Sequence, residues 1–71
     1  MILKEFLNSI SDLLDRYPAR IYSIRNHSVV GSIINSKELI PENVYGYKYL
    51  SIKLEENSRM KGKYVIVITV E

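Results

Sequence analysis

The chain has 71 residues, 46% of them hydrophobic and 25% charged, with a net charge of +2, no cysteine and one histidine, His27. That length makes a single domain over residues 1–71, and the apolar content sets it apart from disordered chains. Without cysteine there is no disulfide and no thiolate metal site, and one histidine excludes a multi-histidine site. So short a chain buries only about 60% of the surface its unfolded form exposes, and small domains often add a disulfide, a metal or a partner. Association is the remaining route here.

Residues 2–17 read as one amphipathic helix. Ile2, Leu3, Phe6, Leu7, Ile10, Leu13, Leu14 and Tyr17 fall at helical spacing, with Lys4, Glu5, Asn8, Ser9, Asp12 and Arg16 opposite. Asp12 and Arg16 are four apart in the favourable acid-first order. Pro18 stops the helix, because the residue before a proline avoids helical geometry.

The rest reads as β. "RIYSIR" (20–25) and "VVGSII" (29–34) are rich in β-branched and aromatic residues, and the "NHS" between them predicts a tight hairpin. Gly31 within the second run predicts a bulge or a close backbone approach. "NSKELIPEN" (35–43) breaks the pattern and is expected to be a short helical turn or a loop, with Ser36 as a cap and Pro41 as the stop. "VYGYKYLSIKLE" (44–55) predicts a long strand. "ENSRMKG" (56–62) is a polar connection, and "KYVIVITVE" (63–71) predicts a final strand paired antiparallel with the one before it.

The expected fold is α+β: the helix packed on one face of a four-stranded, mostly antiparallel sheet in the order α-β-β-β-β. The expected core is Ile2, Phe6, Ile10, Leu13, Ile24, Leu50, Ile52, Ile66 and Ile68.

In the third strand the even positions Leu50, Ile52 and Leu54 are apolar, so they mark the core face. Tyr45, Tyr47 and Tyr49 then fall on the other face, unless a bulge near Gly46 reverses the parity. The last strand is apolar on both faces, with Tyr64, Ile66, Ile68 and Val70 on one and Val65, Val67 and Thr69 on the other. One helix covers one face, so a second surface of Tyr45, Tyr47, Tyr49, Val65 and Val67 is expected to dock on a protein, either a second copy or a larger machine. The plainer alternative is that the tyrosines cover apolar surface within the chain.

A second functional reading is single-stranded nucleic-acid binding. Tyr45, Tyr47 and Tyr49 would stack on bases, and Arg59, Lys61 and Lys63 of the polar connection would meet phosphates, with Arg20, Arg25, Lys48 and Lys53 extending the patch if they share a face. Glu55 and Glu56 oppose it, and the aromatic signature of RNA-recognition sheets is missing.

Catalysis has little support. His27 beside Ser28 in a turn is not a nucleophile–base pair by adjacency alone, and Asp12 with Asp15 lacks a third metal ligand. No phosphate-binding loop, dinucleotide-binding glycine run or nucleophile elbow occurs. The chain is expected to be non-enzymatic, with no cofactor and no metal.

No apolar run is long enough to cross a membrane, and the polar face of the helix is acidic as well as basic, unlike surface-seeking helices. "MILKEFL" lacks the features of a signal peptide, so a cytoplasmic location is expected. Ten Ile and six Lys against one Ala match the codon bias of an AT-rich genome, such as that of a virus or mobile element.

Overall fold

The computed structural model describes residues 1–71. The stripe of residues 2–17 folds as two short helices, α1 (Leu3–Ser9) and α2 (Ser11–Arg16). Ile10 sits between them at φ −118° and ψ 25°, outside helical geometry. The Ser9 hydroxyl donates to the Phe6 carbonyl at 2.6 Å, the back-bonding by which serine bends helices. At the other end the Glu5 carboxylate accepts from the Ile2 N–H at 3.1 Å, supplying a partner to a donor the helix leaves unpaired. Tyr17, before Pro18, is extended as expected.

Five strands follow instead of four: β1 (Ala19–Ser23), β2 (Ser28–Ile34), β3 (Lys37–Leu39), β4 (Tyr49–Glu56) and β5 (Tyr64–Val70). Their order in the sheet is β3-β2-β1-β5-β4. β1 runs parallel to β5 and every other pair is antiparallel, so the sheet is mixed. The fold class is therefore α+β as expected, with a different strand count and a parallel centre.

The extra strand arises in the segment expected to be loop or helical turn. Asn35 and Ser36 lie between paired residues Ile34 and Lys37, both with positive φ (53° and 64°). Two such residues make the tight turn that matches the twist of a hairpin. Pro41 then precedes a 3₁₀ turn, Glu42–Gly46, where the long third strand was expected to begin. Gly31 meets both of its expected roles. The β1–β2 register shifts beside it, between Ile21 and Tyr22, and a Cβ on Gly31 would lie 3.1 Å from Cγ1 of Ile40.

Register sorts the sheet into two faces. On one, Ile33, Ala19, Ile66 and Leu54 form a row across β2, β1, β5 and β4, and Gly31, Ile21, Ile68 and Ile52 form the next. The helices cover this face: Leu3 and Leu7 join Ala19, Ile21, Ile33, Val44, Ile66, Ile68 and Val70 in one buried cluster. The β4 members of these rows stay open, because α1 reaches this edge strand only at its start, where Phe6 packs on Tyr49.

Of the expected core, Ile66 and Ile68 are buried, and Phe6 and Ile10 pack partly against the cluster. Ile2, Leu13, Ile24, Leu50 and Ile52 are each at least 37% exposed. The helical stripe is wider than the surface it covers, so Leu3 and Leu7 hold its centre while Ile2 and Leu13 fall at its margins. Ile24 lies in the turn beyond β1, and Leu50 sits at a second register shift, between Tyr49 and Ser51.

Candidate interaction surface

The three tyrosines do not form a stripe on one strand. Tyr45 belongs to the 3₁₀ turn, Tyr47 follows it, and only Tyr49 lies in β4. The shift between Tyr49 and Ser51 reverses the parity, so Tyr49 pairs with Val70 on the helix-covered face. There its ring stacks on Phe6, with centroids 3.8 Å apart and planes 13° from parallel. All three rings pack against the buried cluster. Tyr45, Tyr47 and Tyr49 therefore do not share a face with Val65 and Val67.

Their hydroxyls stay at the rim. Tyr45 donates to Glu38 Oε1 at 2.7 Å, and Tyr47 accepts from Asn43 Nδ2 at 3.4 Å. The bond to the Glu38 carboxylate, aided by partial burial and by the carboxylate's charge, pushes the Tyr45 phenol up to about 12. Tyr45 and Glu38, with Lys4, Leu7, Asn8 and Glu42, line a surface hollow of about 490 Å³.

The uncovered face of the sheet is a different set of residues. Leu39, Ser32, Arg20, Val67 and Lys53 run across it in one row, and Val29, Tyr22, Thr69 and Ser51 in another. Ile34 beside Lys37, and Val65 beside Glu55, extend it on one side. Val65 is buried and Val67 half-buried, because β5 is an interior strand of the sheet rather than one sandwiched between two layers. Val29, Ile34 and Leu39 are 55%, 51% and 49% exposed. Strand parity in "RIYS" could have placed Arg20 and Tyr22 opposite Ile21. Leu39 was out of reach, because β3 itself was not foreseen.

Arg59, Lys61 and Lys63 are exposed in the connection from β4 to β5. The turn is held by Asn57, whose N–H donates to the Lys63 carbonyl at 2.7 Å and whose side chain accepts from the Arg59 N–H at 3.0 Å. Gly62, at φ +79°, takes the left-handed step. Eight residues of β4 separate this cluster from Tyr47, roughly 25 Å at about 3.3 Å per residue. Arg20 and Lys53 share the open face, while Arg25 and Lys48 sit together with Glu71 at the far end of the sheet.

His27 lies in the exposed β1–β2 turn at φ 52°. Asp15 accepts from the Ser36 hydroxyl at 2.7 Å, tying α2 to the β2–β3 turn. No group of three or more His, Asp or Glu side chains converges. No helix is long and apolar enough to cross a membrane. No family model, curated protein or solved structure matches the chain.

Proposed function

We propose that the chain is a small non-enzymatic protein-interaction module that docks through the open face of its sheet. One observation carries this reading. Both helices lie on the same side of a five-stranded sheet, and the other side presents Val29, Ile34, Leu39, Tyr22 and Val67 without a second layer. Apolar side chains gathered on one uncovered face favour contact with another protein surface. Arg20, Lys37 and Lys53 against Glu55 alone make the face basic, which suits a partner bearing carboxylates. Of the residues expected from the sequence, Val67 and the more deeply buried Val65 lie on this face, and the tyrosines pack against the core on the other side.

A second reading, single-stranded nucleic-acid binding, draws on Arg20 and Lys53 flanking Val67 in the row next to Tyr22. Against it stands the distance between the tyrosines and the Arg59–Lys63 turn, and the Glu38 and Glu42 carboxylates around Tyr45. Light scattering with a mixed single-stranded oligonucleotide, at low and at moderate salt, separates the two. The protein-docking reading expects no gain in mass at either salt. A gain at low salt that falls steeply as salt rises would instead establish phosphate contacts.

A further inference from the structure

The sheet has two edges, and they are not alike. β3 is three residues long and is followed, after Ile40 alone, by Pro41, which has no N–H to offer. β4 is eight residues long. Its beginning is covered: Tyr49 donates to the Met1 carbonyl at 2.9 Å, Leu3 donates to the Tyr47 carbonyl at 2.8 Å, and Ile2 bridges to Lys48. From Ile52 to Glu56 the register with β5 is regular, and nothing covers the outer side.

The direction of the free backbone groups follows from the turn. Asn57 donates inward to Lys63, and bonding alternates along an antiparallel strand. Glu55, Lys53 and Ser51 therefore bond to β5. Ile52, Leu54 and Glu56 turn their N–H and C=O groups outward, with no proline or bulge to blunt them.

We infer that this edge pairs with the same edge of a second copy, antiparallel and centred on Leu54, so that two five-stranded sheets become one. Charge selects the register. Centring on Leu54 places Lys53 opposite Glu55 of the second copy, and Glu55 opposite its Lys53. These fall at non-hydrogen-bonded positions, where Cα atoms approach to about 4.5 Å and side chains are closest. Centring on Lys53 would set lysine against lysine, and centring on Glu55 would set glutamate against glutamate. Centring on Ile52 would drive Glu56 against Lys48, whose edge Ile2 already holds.

In the selected register the outward groups also face one another: Leu54 with Leu54, and Ile52 with Glu56 in both directions. Each facing pair can exchange two backbone hydrogen bonds. Ile52 and Leu54, 37% and 53% exposed on the helix side, gain cover from the second copy. Lys53 and Glu55 already meet within the strand at 2.7 Å, and in the pair each turns to its counterpart instead.

The inference rests on the reading of the chain as an interaction module and names a second copy as a partner of its edge. Sedimentation equilibrium from low micromolar to millimolar concentration tests it, with circular dichroism to confirm that each variant folds. The wild-type chain should form dimers. K53E and E55K should each weaken dimerisation by about tenfold, since either change opposes like charges twice. The exchange K53E/E55K should restore it. A wild-type chain that stays monomeric throughout overturns the edge pairing and leaves the open face to be judged by its own test. A dimer that ignores both charge reversals but is lost in V29S/L39S also overturns it, and moves self-association to the open face.

Discussion

Tyr45 shows how one side chain can be read in two ways. Its ring belongs to the packing around the buried cluster, while its hydroxyl is held by Glu38. The folded state keeps the phenolic proton up to about pH 12, whereas the unfolded chain releases it near pH 10. Between those values the folded state binds more protons, so stability from this contact is intact below about pH 10 and declines as pH rises toward 12. In an ultraviolet titration Tyr45 should ionise late, and E38Q, which removes the carboxylate's share of the shift, should lower it. Gly31 makes a second residue-scale test. A methyl group there must push Ile40 aside, so G31A should cost about 1–3 kcal/mol in a urea melt, the usual range for overpacking. Ser23 has no exposed surface, yet its hydroxyl is satisfied: it accepts from the Asn26 N–H and donates to the Glu71 carbonyl.

At the scale of elements, the β2–β3 hairpin carries the clearest prediction. Ser36 adopts a left-handed conformation that costs a residue with a Cβ roughly 1–2 kcal/mol, and its hydroxyl compensates through Asp15. S36A keeps the strained backbone and loses the bond, so it should destabilise by about 0.5–1.5 kcal/mol. S36G loses the bond and relieves the backbone, so it should be the more stable of the two. Thermal melts of both variants decide the point. The same turn shows why β3 was illegible. Asn-Gly would have announced a hairpin, whereas Asn-Ser suggested a helix cap, and three residues show too little alternation to read. Residues 44–48 failed in the opposite sense. Their alternation imitates a strand, but Pro41 starts a 3₁₀ turn that buries Val44. The apolar stripe of residues 2–17 was legible as helix. Its break was not, because hydrophobic spacing continues across Ile10 and only the flanking serines mark it.

For the molecule as a whole, the fold class could be read from residue pattern, and the make-up of the open sheet face could not. Strand parity identifies a face only when register is known, and the shift between Tyr49 and Ser51 sends Tyr49 to the opposite side. The same limit hid the order of strands. Apolar side chains on both sides of β5 suggested a second covering layer, but an interior place in the sheet accounts for them. Total stability for a chain of this length is about 4–11 kcal/mol. Ile21 has no exposed surface in the covered face, so I21A should remove about 2–5 kcal/mol, a large share of that total. Followed by circular dichroism, the thermal transition of I21A should fall well below that of the parent chain.

The parallel pairing of β1 with β5 also has a consequence in time. Ala19 waits for Ile66, so these two interior strands join only once the residues of β5 have been synthesised. Local hairpins can form early, but none of them closes the middle, and the loop entropy of that closure falls on a single late event. A nascent chain still lacking β5 would carry β1 as a bare edge flanked by unfinished core. The amides of β1 and β5 should therefore share the slowest hydrogen-exchange rate in the molecule, since neither strand can open without dividing the sheet.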